Sequence, residues 1–385
     1  MKVRYLIILL VAAAIVILGS FYQSTPLENQ EPEPNLVTST ETISAFKRAE
    51  VPRKWNFPED FGSHPDYQTE WWYYTGNLEA EDGERFGYQL TFFRRALLPS
   101  ENRIERESNW AADQVYMAHF ALSDISIEDH YAYERFERGA AGLAGAESKP
   151  FQVWLQNWQV KQIAEGKFKL SVVQGEIGID LFLEDLKGPI LHGDRGYSQK
   201  GPEAGNASHY YSQTRLLTSG SVQTVRGSFN VNGLSWKDHE FSTSALSPGQ
   251  VGWDWFSVQL DEGSELMVFQ IRRDDGSIDP FSSGTWIDPG GATIHLKQEQ
   301  FEIQTGDIWR SQNSGAEYPI AWRLRIPSLS IDLEINPFIA DQEMDVSYSY
   351  WEGAVDISGT KNGMSISGSG YVEMTGYAAS MEGQF

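Results

Sequence analysis

From about Val51 to the C-terminus, apolar and polar residues alternate with a period of two, the spacing at which side chains of an extended chain share a face. Ile177, Ile179, Leu181 and Leu183 form one such row, and Leu329, Ile331, Leu333 and Ile335 form another. Between rows stand Asp82-Gly83, Asn232-Gly233, Asp275-Gly276, Pro289-Gly290-Gly291 and Asn362-Gly363, which supply the positive φ angles that hairpin turns need. The pattern predicts an all-β protein. Within this region a helical pattern is expected only at residues 134–146.

The N-terminus follows a different plan. Lys2 and Arg4 precede an uninterrupted run of apolar and weakly polar residues at 6–21, the layout of a basic flank and hydrophobic stretch in an export signal. No small-x-small cleavage site follows, so residues 1–22 are read as a signal peptide or membrane anchor helix, with the remainder exported. Residues 23–50 carry Glu, Asn, Gln and Pro in place of core-forming groups and are read as a disordered linker. The expected location is the cell envelope, either anchored at the inner membrane or secreted to the periplasm.

Two segments of the β region match one another. Trp71-Trp72-Tyr73-Tyr74 leads to Leu78, and Trp253-Asp254-Trp255-Phe256 leads to Leu260 at the same spacing, an offset of 182 residues. Each then meets an acidic-Gly turn, Asp82-Gly83 or Glu262-Gly263, and a strand ending in Arg94-Arg95 or Arg272-Arg273. An internal duplication accounts for this, with halves at 51–226 and 227–385. Each half is of a size to close an antiparallel barrel of roughly eight strands around a small lipophilic molecule.

Composition removes several function classes. The 385 residues include 30 Lys+Arg against 53 Asp+Glu, a net charge of −23, which opposes tracking of a phosphate backbone. Cys is absent, so thiolate chemistry, disulfides and iron–sulfur clusters are excluded. The 13 Trp, 17 Tyr and 20 Phe point to aromatic interiors. Common catalytic motifs fail: His239-Glu240 lacks a second histidine at Thr243, and Gly233-Leu234-Ser235 is followed by Lys237 where a nucleophile elbow needs glycine. No phosphate-cradling or dinucleotide-binding glycine pattern occurs.

Polar titratable groups instead gather with large aromatics near the centre of the chain. On strands, His209 and Tyr211 share one face, and Trp236, Asp238 and Glu240 share another. If the two strands lie side by side, these residues are expected to converge on one pocket. There Asp238 would resist ionisation and act as a general acid, and the rings would stabilise developing positive charge. Alternation sends His239 away from Asp238 and Glu240, which argues against a metal site. Glu70 is a candidate second buried acid. His64 and His119 read as packing or surface histidines, and the paired arginines as strand-end surface charges.

The run His64-Pro65-Asp66-Tyr67-Gln68-Thr69-Glu70-Trp71-Trp72-Tyr73-Tyr74-Thr75-Gly76, with His209-Tyr210-Tyr211, Trp236-Lys237-Asp238-His239-Glu240-Phe241 and Trp253-Asp254-Trp255, resembles the AttH-type proteins. These are lipocalin-like relatives of carotenoid 1,2-hydratase, called predicted secreted hydrolases. The resemblance spans the chain from about Val51 and implies two lipocalin-like antiparallel β-barrels packed together, with a ligand site near their junction. In the carotenoid hydratases an acid lies two residues after an aromatic and 29 residues after a His-x-aromatic pair. That pattern falls on Trp236 and Asp238, with His209 and Tyr211. Trp236 and Tyr211 look exchanged relative to the hydratases, which separates this chain from the carotenoid branch.

The resemblance implies a cofactor-independent hydro-lyase in which Asp238, His209, Tyr211 and Trp236 do the chemistry. Glu70, Trp71, Trp72, Tyr210, His239, Glu240, Trp253 and Trp255 would shape the site for an isoprenoid or other unsaturated lipid. A non-catalytic carrier fits the same residues, and AttH-type proteins look associated with ABC export components.

Overall fold

The computed structural model describes residues 45–102, 108, 110–243 and 246–382. The N-terminal apolar run and most of the linker lie outside them. Among the described residues no helix is long and apolar enough to cross a membrane.

The first sheet begins with a meander of β1 (Thr69–Ala80), β2 (Arg85–Ala96), β3 (Gln114–Asp124) and β4 (Asp129–Arg138). It continues through β5 (Ala144–Ser148), β6 (Phe151–Leu155), β7 (Trp158–Ala164), β8 (Lys167–Gln174) and β9 (Ile177–Asp185). Two short strands, β10 (Ile190–Leu191) and β11 (Tyr197–Gln199), precede a long hairpin of β12 (Ala207–Thr224) and β13 (Gly227–Ser242). That hairpin closes the centre, giving the order β4-β3-β2-β1-β13-β12-β9-β8-β7-β6-β5.

The second sheet contains β14 (Gln250–Leu260), β15 (Glu265–Arg273), β16 (Ser283–Ile287), β17 (Thr293–Lys297) and β18 (Glu302–Thr305). A separate ribbon of β19 (Ile308–Arg310) and β20 (Glu317–Pro319) leads to β21 (Trp322–Ile326) and β22 (Ile331–Pro337). The chain ends with β23 (Glu343–Met344) and a hairpin of β24 (Tyr350–Lys361) and β25 (Met364–Met374). The order is β17-β16-β15-β14-β25-β24-β22-β21-β18. Both sheets are antiparallel and curl into lipocalin-like barrels, the first nearly closed and the second half-closed.

The two sheets repeat one plan. In each, the aromatic hairpin (β1–β2 or β14–β15) pairs with the returning strand of a late hairpin (β13 or β25). Close approaches recur at matching places. A Cβ on Gly220 would sit 2.2 Å from the Asp180 carbonyl oxygen, and one on Gly359 would sit 2.2 Å from that of Asp332. Likewise Gly233 abuts Asn77 and Gly368 abuts Gln259, and Asn77 and Gln259 are again 182 residues apart.

The sheet boundary departs from the expected division at 226/227, because β13 pairs with β1 and β12 and so belongs to the first half. The chain crosses between sheets after Ser242. Residues 134–146 are not helical: they supply the end of β4 and the start of β5, because pairing with Val115–His119 holds the Glu134–Arg138 stretch extended.

The rows at Ile177–Leu183 and Ile331–Ile335 point inward to separate cores. The first barrel is filled by Trp72, Tyr74, Tyr88, Phe120 and Trp158 among others, so its interior is packed side chain. A third cluster, with Tyr73, Tyr210, Trp236, Trp255, Phe269 and Tyr371, lies between the sheets.

Candidate functional site

Strand alternation and register decide which residues meet. On β13, Asp238 pairs with Tyr73 of β1 and Ser212 of β12, whereas His239 pairs with Trp72 and Tyr211. Ahead of the β12 bulge between Gln213 and Leu216, Tyr210 and Ser212 of β12 and Trp236, Asp238 and Glu240 of β13 therefore face the second sheet, while Tyr211, Lys237 and His239 face the interior of the first barrel. The expected convergence of His209 and Tyr211 with Asp238 does not occur. The partners of Asp238 come from the intervening positions.

Asp238 is 4% exposed. Its Oδ2 accepts from the Tyr210 hydroxyl at 2.5 Å, and its Oδ1 accepts from Trp236 Nε1 at 2.5 Å and from the Ser212 hydroxyl. Burial raises its pKa to about 7, and the charge of Glu240 adds to the rise, while the three donors pull the other way. Behind Ser212 stands fully buried His192, with Nε2 2.6 Å from Ser212 Oγ and Nδ1 2.9 Å from Thr285 Oγ1. Burial, with Lys200 nearby, lowers the His192 pKa to about 3, so its imidazole is neutral. A hydrogen-bonded row thus runs from β16 of the second sheet to the acid.

Asp238 opens on a cavity of about 150 Å³ between the sheets. Trp71, Tyr73, Tyr210 and Glu240 line it from the first sheet, and Trp253, Trp255, Glu352 and Glu373 from the second. Trp255 Nε1 donates to the Tyr210 hydroxyl at 3.0 Å, and the Tyr73 hydroxyl donates to Glu352 Oε2 at 2.9 Å, so each wall is tied to the other. Trp253 Nε1 donates to Glu373 Oε1 at 3.0 Å. Burial raises the Glu373 pKa to about 8, with the charges of Asp238 and Glu240 adding to it. Burial and the neighbouring Glu373 likewise raise that of Glu352. The arrangement can present uncharged carboxylic acids to an aromatic-walled hollow.

Inside the first barrel a second polar group forms around Glu70. Arg94 Nε donates to its Oε2 at 2.8 Å, and His239 Nε2 and His64 Nδ1 each lie 2.8 Å from its Oε1. Burial opposes ionisation of Glu70, but the Arg94 charge and the histidine hydrogen bonds outweigh it and hold its pKa well below the usual range. Trp72 stacks on His239, and Tyr211 lies 3.0 Å from His239 Nδ1. Lys237, fully buried, donates to Tyr211 and Gln213. His64, Glu70 and His239 are close enough to share a metal ion, although the Arg94 guanidinium already occupies the carboxylate.

A family model described as AttH-like matches residues 48–377. The chain belongs to the AttH-like family. An AttH protein of Nitrosomonas europaea is 35% identical over 86% of this chain and 100% of that one, with a TM-score of 0.75. Kievitone hydratase of Nectria haematococca shares the fold at 14% identity, covering 89% of this chain and 99% of that one, with a TM-score of 0.65. The protein CghA, solved with Sch210972, shares it at 11% identity, 88% and 97% coverage and a TM-score of 0.51. No curated protein sequence matches.

For this AttH-like protein, Trp71, Tyr210, Glu240, Trp253 and Trp255 lie at the cavity with Asp238, and Trp236 lies behind the acid. Glu70, Trp72, Tyr211 and His239 lie on the far side of the same strands, inside the first barrel, and His209 lies on that side beside a separate cluster with Tyr67 and Phe241. His209 packs edge-on against Trp55 and Tyr67. Arg94 is 1% exposed and paired to Glu70, not at the surface, because the inward parity of β2 at this position is opposite an acid. Arg272 and Arg273 likewise pair with Asp254 and Asp279.

Sequence reading missed Ser212, His192, Glu352 and Glu373. A signal for Glu373 existed: it stands five residues after Gly368, as Asp238 stands five after Gly233, and Glu373 pairs with Trp255 as Asp238 pairs with Tyr73. Glu373 holds the place in the second sheet that Asp238 holds in the first.

Proposed function

We propose that this AttH-like protein is a cofactor-independent hydratase or hydro-lyase acting on an unsaturated lipophilic molecule in the cavity between its barrels. The observation that carries the reading is Asp238, buried on an aromatic wall with its carboxyl held near neutrality. A carboxyl that keeps its proton near pH 7 away from bulk water is suited to protonating a carbon–carbon double bond. The Asp238 proton would add to one alkene carbon, and water would attack the resulting cation. The oxonium would return one proton to the Asp238 carboxylate, so the acid is regenerated.

Tyr73 and Tyr210, the cavity-lining rings beside Asp238, would stabilise the cation through their faces. Tyr210 and Ser212 hold the acid, in place of the His209 and Tyr211 roles that the family resemblance implied. Kievitone hydratase, with the same fold, is by name a hydratase. Export, tethering by residues 1–22 and delivery of the ligand to or from an ABC export system complete the proposal.

The test is to extract the copurifying lipid, identify it by mass spectrometry and incubate it with the protein. Gain or loss of 18 mass units, roughly 100-fold slower with Asp238→Asn, is expected. A tightly held lipid returned unaltered would mean a carrier.

A further inference from the structure

The second wall of the cavity carries two acids without a cation. Glu352 and Glu373 are directly opposite each other on β24 and β25, the arrangement in which like charges repel most strongly. Tyr73 and Trp253 donate to them, but among the described residues neither forms an ion pair with Lys or Arg. Elsewhere buried acids are matched: Glu70 by Arg94, Glu265 by Lys187 and Arg215, Asp254 by Arg272 and Asp279 by Arg273. Glu343 takes three hydroxyl donors instead, from Ser311, Ser314 and Tyr318.

The duplication sharpens this contrast. In the first sheet, the row Tyr73, Asp238 and Ser212 contains one acid. In the second, the equivalent row Trp255, Glu373 and Glu352 contains two. A second acid on a poorly solvated wall is unfavourable unless something positive comes to it. At the same cavity the Ser208 hydroxyl, 1% exposed, has no partner and is free to meet a ligand.

Lys200 does not fill this role, since it pairs with Glu240 at 3.4 Å and lies over the Phe269 ring. Among the described residues these acids do not bring three ligand atoms within 4.8 Å of one another, so they do not form a metal cage. Carboxylates bordered by Trp253, Trp255 and Trp71 match a different cation, an alkylated ammonium whose charge is spread over its surface.

We infer that the ligand carries a positively charged nitrogen, seated between Glu352 and Glu373 and enclosed by the three tryptophans. This deepens the proposed function and rests on its placement of the ligand in the cavity: Asp238 faces the reacting part, and the glutamates hold the amine. On binding, the glutamates release protons and ionise against the ammonium.

The probes are benzyltrimethylammonium and its uncharged carbon isostere neopentylbenzene, titrated into the full-length chain by tryptophan fluorescence and calorimetry. The cation is expected to bind at least ~10-fold more tightly, given the combined cation–π and charge attraction. Calorimetry in buffers of different ionisation enthalpy should show proton release near pH 7 for the cation alone. The preference should vanish in Glu352→Gln/Glu373→Gln, or shrink in each single variant if the double variant does not fold, and survive in Asp238→Asn.

Equal or tighter binding of the isostere, uptake of neither probe, or a preference that depends on Asp238 and not on the glutamates would overturn the inference. Turnover by 18 mass units without cation preference would leave the hydratase reading intact. Cation preference without turnover would leave this one.

Discussion

The Tyr210 hydroxyl donates to Asp238 Oδ2 at 2.5 Å while accepting from Trp255 Nε1 at 3.0 Å, so one phenol ties the candidate acid to the opposite barrel. Its donation favours the ionised form of Asp238. In Tyr210→Phe the Asp238 pKa should move up from about 7 by roughly one unit, the scale of one lost hydrogen bond to a charged group. Carbon NMR of carboxyl-labelled aspartate measures this directly, and an unchanged midpoint would show that the phenol does not set the acidity.

Asp238 also makes stability depend on pH. Its pKa rises from the usual 3.8 to about 7 on folding, so the folded state holds a proton that the unfolded state has lost between those values. Stability therefore falls as pH rises through this window. Asp238→Asn removes the penalty, and its stability relative to the parent should improve by up to about 4 kcal/mol between pH 4 and pH 8. Urea unfolding at both pH values tests it, and a difference of opposite sign would refute the shift.

Lys237 titrates in the opposite sense. Burial lowers its pKa from 10.5 to about 7, so the folded state binds fewer protons than the unfolded state between those values, and stability rises with pH across them. Lys237→Met should stabilise the protein at pH 6, on the order of 2 kcal/mol after loss of its hydrogen bond to Gln213. The gain should shrink as pH approaches 10, as followed by thermal unfolding at several pH values.

Arg94 and Glu70 are both fully buried, and removing one leaves the other's charge unmatched. Arg94→Ala should cost roughly 3–5 kcal/mol in urea unfolding. Because Glu70 lies inside the first barrel and not at the cavity, uptake of a neutral ligand by the surviving folded fraction should be unchanged.

Gly220 and Gly359 occupy equivalent positions, each pressed against a carbonyl oxygen of the neighbouring strand. Alanine at either should destabilise by about 2 kcal/mol, since backbone must move to admit the Cβ. Similar losses at both sites would support the duplication energetically, whereas a cost at one alone would show that the two sheets tolerate the change differently.

The chain by itself determined the strands. Alternating rows such as Ile177–Leu183 have one orientation that removes their apolar side from water, and the Asp-Gly and Asn-Gly turns fix where each strand reverses, so the all-β plan and the repeated aromatic hairpin were legible. Sequence also placed Asp238 among aromatics. It could not choose between the two sides of β12, because a shift of one residue in register exchanges Ser212 for Tyr211 opposite the acid and turns every neighbour over with it. Nor could it show that Glu352 and Glu373 come to the same hollow as Asp238, since residues more than a hundred positions apart meet only when two curved sheets pack face against face. Local hydration and chain geometry write the strands, while the contents of the cavity follow from pairing register and the contact of one barrel with the other.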